Sequence, residues 1–184
     1  MKKTLVLCLL LCMAVFVFAE DDGQTGTKVA LSLGPEWNMN SRDNFAAGAV
    51  LSLDFMVGSS LALGYNVTIS TNFSDLTVIE PATFLRWYFL KSFYAGDFAA
   101  LTGLFIQPDI GAYLFFDKHY DDVTPMFLGG LRAGVRLPLS ESFFIEPYGR
   151  LGYPFTFGVG VMMGVRFPKQ AAAEKAEELP VINR

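Results

Sequence analysis

Ten charged residues fall inside otherwise apolar, alternating segments of this 184-residue chain. The acids are Glu36, Asp54, Glu80, Asp109 and Glu146, and the bases are Arg86, Arg132, Arg136, Arg150 and Arg166. Five carboxylates meet five guanidiniums, and no lysine is among them. The planar guanidinium fork suits paired sites that have lost much of their water. The chemistry this set points to is therefore ion pairing in a confined polar interior, not turnover. A second candidate is His119, the sole histidine, beside Asp117, Asp121 and Asp122. A histidine base needs an orienting partner and a nucleophile in reach, and the Asp117–Asp122 segment contains no serine. The same acids match no known calcium-loop spacing. This stretch reads as a solvated acidic loop, and no catalytic residue, metal site or cofactor is expected.

The elements that carry the ten charges have a period of two. From Phe155 to Phe167 the odd positions are all large and apolar, while the even ones are Thr156, Gly158, Gly160, Met162, Gly164 and Arg166. Such alternation means a β-strand with two unlike faces. Seven further strands precede it, at Val29–Met39, Phe45–Val57, Leu61–Phe73, Val78–Phe89, Gly103–Phe116, Met126–Leu137 and Phe143–Tyr153. Residues 91–100 fit a longer turn or a short helix. Each strand is long enough to cross a bilayer, which takes about 9–11 tilted residues. The fold class is all-β, an eight-stranded antiparallel up-and-down transmembrane barrel over residues 28–167.

The ends bound the location. Lys2 and Lys3, the apolar run Leu5–Phe18 and the sequence Val17-Phe18-Ala19 form a secretory signal, so residues 1–19 are expected to be cleaved. Cys8 and Cys12 leave with it, which excludes disulfides and thiolate chemistry from the remainder. That remainder has 12 basic and 18 acidic residues, a formal charge of −6, so nucleic acid is excluded as a partner. Residues 20–27 read as a periplasmic N-terminal segment. Pro168 stops the last strand, and residues 168–184 read as a periplasmic tail. The turns at 58–60 and 138–142 would then be periplasmic, and the loops at 40–44, 74–77 and 117–125 external.

Three features place the apolar face against lipid instead of in a soluble, lipocalin-like core. Aromatic residues sit at strand ends. Trp37, Phe45, Phe73, Phe116, Phe127, Tyr153 and Phe155 would ring the outer interface, and Phe55, Trp87, Phe89, Phe143 and Phe167 the inner one. Two such girdles mark membrane barrels. The opposite face carries the ten charges, and glycine clusters there too. An eight-stranded barrel has an interior just wide enough for side chains to fill, and glycine leaves room for arginine and for Tyr88 or Tyr113. Four prolines, Pro35, Pro81, Pro108 and Pro147, fall inside strands without an amide for the ladder. Three follow one pattern, Ile79-Glu80-Pro81, Ile106-Gln107-Pro108 and Ile145-Glu146-Pro147. A bulge at each is expected, with a change of inward and outward parity beyond it.

With the Ile145-Glu146-Pro147-Tyr148-Gly149 segment and the closing strand ending in Phe167, the chain resembles the small eight-stranded outer-membrane proteins. These are the OmpW, OmpX and OmpA transmembrane-domain groups and the small barrels of spirochaetes. The resemblance implies outer-membrane lipid and the barrel-assembly machinery as partners, with Val165 and Phe167 as the assembly signal. The family pattern has glycine where Met162 stands. An OmpW-like resemblance implies a narrow channel for small hydrophobic solutes. The alternative is a structural or adhesive surface barrel with a plugged lumen, acting through its external loops. Oligomeric state is left open by the sequence.

Overall fold

The computed structural model describes residues 29–39, 45–74, 76–90, 103–117 and 124–167. The signal peptide, the 20–28 segment, loop 40–44, residues 91–102, residues 118–123 with His119, and the 168–184 tail lie outside the described residues. Nine strand segments form in order: β1 (Val29–Met39), β2 (Phe45–Met56), β3 (Leu61–Thr71), β4 (Leu76–Trp87), β5 (Leu104–Asp117), β6 (Thr124–Val135), β7 (Leu137–Pro138), β8 (Phe143–Tyr153) and β9 (Phe157–Phe167). Each of β1 to β5 pairs antiparallel with its successor, β8 pairs with β9, and β9 pairs with β1. The β6–β8 ladder closes the ring. The two residues of β7 continue along β8 in the register that β6 had set, so the nine segments make eight staves. A closed ring leaves no open edge, the condition for a sheet that faces hydrocarbon.

The alternation that defines the strands also divides the molecule into two faces. In β3 the burial pattern follows the sequence residue by residue, with Leu61, Leu63, Val67 and Ile69 exposed and Ala62, Gly64, Asn66, Thr68 and Ser70 buried. The outer wall is apolar on every stave, from Leu33 and Leu51 to Ile110, Leu131, Leu151 and Met163. An exposed apolar surface that circles the whole molecule has no place in water. The polar residues are inside. One end of the barrel carries the start of β1 and the end of β9, together with the turns at 57–60 and 139–142. We call it the near end, and the opposite one the far end.

The in-strand prolines do not make bulges, so that expectation is corrected. Register is the same on both sides of every proline. Pro81 pairs in register with Val67 on the β3 side, and on the β5 side only the pairs of residues 80 and 81 drop out before register resumes at Ala82↔Gly111. Pro108 interrupts the same β4–β5 seam further along, Pro35 interrupts β1–β9, and Pro147 interrupts the seam to β6 and β7. The break between β6 and β7 at Arg136 is the mark of Pro147. A proline lacks one donor, and a strand's donor faces a single neighbour, so only one seam opens. Parity is therefore unchanged. Glu80, Gln107 and Glu146, each just before a proline, stay buried.

Glycine makes the interior fit. Gly64 stands opposite Phe84, Gly158 opposite Arg150, Gly160 opposite Tyr148 and Gly164 opposite Phe144. In each pair the large side chain lies over the glycine, and an added Cβ would collide with it.

Candidate functional site in the barrel lumen

The inward face of the staves converges on one polar network. Near the near end, Arg86 of β4 lies fully buried among partners from three other staves. Its Nη2 is 2.9 Å from Glu146 Oε1, and its Nη1 donates to Glu146 Oε2 at 3.1 Å and reaches Asp54 Oδ2 at 3.5 Å. Arg136 donates from Nε to Glu146 Oε2 at 2.6 Å and from Nη1 to Asp54 Oδ2 at 3.0 Å. Two arginines and two carboxylates thus close a four-membered cluster. Aromatic faces pack the cations: Phe105 lies 4.4 Å from Arg86 Cζ, and Phe144 lies 4.1 Å from Arg136 Cζ. Cation–π contacts of this kind gain strength when the cation is desolvated.

A second cluster occupies the middle of the lumen. Arg150 Nη1 donates to Glu36 Oε1 at 2.8 Å and to Glu80 Oε2 at 2.7 Å. Arg132 Nε lies 3.1 Å from Asp109 Oδ2, and its Nη2 donates to Thr68 Oγ1 at 3.3 Å. Tyr148 donates its hydroxyl to Glu36 Oε2 at 2.5 Å, and Asn38 adds an amide at 2.9 Å. Gln107 joins the two clusters, because its Oε1 accepts from Arg86 Nε and its Nε2 donates to Asp109 Oδ1, both at 2.7 Å. Arg86 to Glu146, Arg136 to Asp54 and Arg150 to Glu80 connect staves that are not neighbours. These pairs cross the lumen and tie its walls together.

Toward the far end the character changes. Ala46, Val78, Tyr113, Leu128 and Phe155 form an apolar cluster inside the barrel, with Leu76 and Phe115 packed against it. Tyr113 donates to Tyr153 Oη at 2.9 Å at the edge of this cap. The lumen is thus filled by ion pairs at one end and by apolar side chains at the other. Among the described residues no group of three His, Cys, Asp or Glu side chains converges as metal ligands. A groove of about 420 Å³ lies on the outer wall instead, bordered by Leu63, Tyr65, Thr83, Leu85, Pro108 and Ile110.

No protein-family model matches this chain, and no curated protein sequence matches it. Solved structures do match its shape. The N-terminal β-barrel domain of Pseudomonas aeruginosa OprF superposes with a TM-score of 0.53 at 12% identity, covering 78% of this chain and 98% of that one. Neisserial surface protein A gives the same TM-score and identity over 80% of this chain and 99% of its own. At that identity the likeness concerns the fold, and it agrees with the closed ring and the apolar outer wall. The chain is a small eight-stranded barrel of the outer-membrane type.

The barrel places the sequence-derived residues as follows. Nine of the ten charged residues are buried in the lumen network. Arg166 is the tenth. It points inward at the near end but remains partly exposed, has no carboxylate partner among the described residues, and lies 5.4 Å from the Phe144 ring. Of the aromatic residues, Trp37, Phe45, Phe73, Phe116, Phe127 and Tyr153 are exposed at the far end, and Trp87, Phe143 and Phe167 at the near end; Phe55 and Phe89 are half-buried there. Val165 and Phe167 end β9, with Val165 opposite Phe143.

Phe155 is a correction. It is 5% exposed and belongs to the inner cap, not to the outer girdle. The strand begins at Phe157, and residues 154–156 belong to the turn. A turn does not keep the parity of the strand that follows, and this one folds the ring over the lumen mouth. Gln107, Asn38, Asn66 and Tyr148 were missed as network members. Their signal was available, because each is a polar residue on the inward parity of a strand.

Proposed function

We propose that this protein is a closed outer-membrane barrel that passes no solute through its lumen and works through its external surface. The observation that carries this reading is the filling of the lumen from end to end. Nine charged side chains are buried and cross-linked, and the far mouth is capped by Phe155, Tyr113 and Leu128. A channel would need a continuous wet path. Opening one here would separate ion pairs that have already lost their water, and stranding a partner costs about 3–5 kcal/mol for each pair broken. In the proposed orientation the near end, where β1 starts and β9 ends, is periplasmic, and the far end, where β1 ends and β2 starts, faces out. The secretory signal read at residues 1–19 would take the chain across the inner membrane.

Solute influx into liposomes tests the reading. Liposomes carrying the refolded barrel should swell in small sugars and small hydrophobic solutes no faster than empty ones, while the protein stays folded by its heat-dependent gel mobility. Swelling that rises with the amount of folded barrel would favour the narrow-channel alternative. Replacing residues 118–123 with a Gly/Ser turn then addresses the surface role, as loss of binding to host-matrix components with the fold intact.

A further inference from the structure

The near-end cluster carries an imbalance of charge. Asp54 and Glu146 face three guanidiniums, those of Arg86, Arg136 and Arg166. Arg86 and Arg136 share the two carboxylates between them. Arg166 makes no ion pair among the described residues. Both cations gather on one phenyl ring, with the Arg136 and Arg166 Cζ atoms 4.1 and 5.4 Å from the centroid of Phe144. Two guanidiniums on one ring repel each other across a site partly drained of water.

A second observation is independent of that count. Arg136 is buried, and its Nε and Nη1 are committed to Glu146 and Asp54, but its Nη2 has no hydrogen-bond partner. A buried unpartnered guanidinium nitrogen is a costly exception that calls for an acceptor. The Tyr88 ring flanks the same guanidinium, at 5.7 Å from Arg136 Cζ. The Tyr88 hydroxyl accepts from Arg86 Nη1 at 3.3 Å and, among the described residues, donates to nothing. Among the described residues, two guanidiniums without a full set of acceptors therefore share the Phe144 ring, Arg136 at its Nη2 and Arg166, with the unpartnered Asp54 Oδ1 in the same cluster and the Tyr88 ring beside Arg136.

We infer that the near-end mouth binds an oxyanion of the phosphate class between Arg136 and Arg166. Guanidinium forks match the oxygens of a phosphate group, with two parallel N–H donors for two acceptors. Among the described residues no ion pair pins Arg166, so a rotamer change of its side chain admits the anion to Arg136 Nη2. The same chemistry comes from two sources, a soluble phosphate in the periplasm or the headgroup of a phospholipid at the rim.

Calorimetric titration of the refolded mature chain in uncharged detergent tests the site, with inorganic phosphate and with short-chain phosphatidic acid as probes, against chloride at equal ionic strength. Saturable binding is expected in the wild type. It should weaken about tenfold or more in Arg166→Gln, the factor expected for one lost charge-assisted hydrogen bond, and recover in part in Arg166→Lys. Binding of inorganic phosphate identifies a soluble ligand, and binding of phosphatidic acid alone identifies a headgroup. Heat-dependent gel mobility reports that each variant is folded, and Tyr88→Phe supplies a second variant should Arg166→Gln fail to fold. No binding of either probe beyond chloride, or equal binding by wild type and folded variants, overturns the inference.

Discussion

The two ends of the lumen are packed by opposite means. At the near end the filling is charge against charge, held by direction and distance. Glu146 accepts from two arginines at once, and Asp54 accepts from the same two. At the far end the filling is apolar, and Phe155, Leu128 and Val78 need only the right volume. A buried ion pair gains little over a well-packed apolar pair, but it is costly to break from one side. An apolar cluster loses only its transfer energy and whatever cavity remains. The near end should therefore be intolerant of single changes, and the far end tolerant of volume-conserving ones.

The largest effect should come from Glu146→Ala. It strands Arg86 and Arg136 together, and denaturant unfolding in micelles should show a loss of about 3–5 kcal/mol. Arg136→Ala should cost less, because Glu146 and Asp54 keep Arg86. An equal loss from the two would mean that the cluster is not shared as described. Phe155→Ala should cost about 3 kcal/mol as a cavity under the far mouth, whereas Phe155→Leu should cost much less. If Phe155→Leu is as damaging as Glu146→Ala, the contrast between the ends is wrong.

Gly164→Ala asks whether the near-end packing is as tight as its glycine–ring pairs indicate. The new methyl would meet Phe144, the ring that carries Arg136. A loss of about 1–3 kcal/mol is expected from overpacking, with no comparable loss for Gly149→Ala, where an added Cβ would come no closer than 3.9 Å, to the Gly158 carbonyl oxygen. The smallest effect concerns the far-end turn after β3. Phe73 is 78% exposed and left-handed, with φ 61°. Thr71 Oγ1 accepts its amide at 3.1 Å, and Asn72 Oδ1 accepts from Ser74 and Leu76 at 3.1 and 3.0 Å. Asparagine adopts this conformation more readily, so Phe73→Asn should gain up to about 1 kcal/mol in micelles. No gain would mean that contacts of the ring outweigh the backbone strain.

The polar half was the legible half. Arginine and glutamate on the inward parity of an alternating strand have few places to go, and each was assigned its face from spacing alone. Parity also located Tyr88 and Tyr113, both buried inside. The apolar half was not legible at Phe155, because the residue lies in a turn, where period two no longer holds. The prolines misled for a related reason. A missing amide looks like a defect in the whole strand, yet it faces one seam and leaves the other intact. Arg166 was counted with the network because its parity is inward. Parity gives the face but not the depth, and this position lies at the rim.

The central claim is that the lumen is closed, and single-channel recording in a planar bilayer tests it most directly. The wild-type barrel should be silent while its heat-dependent gel mobility shows that it is folded. Arg136→Ala and Arg132→Ala, which loosen the two charge clusters, should stay silent as long as the far cap holds. Discrete openings of the folded wild type, altered by those substitutions, would contradict the account and mean that the charged residues line a pore.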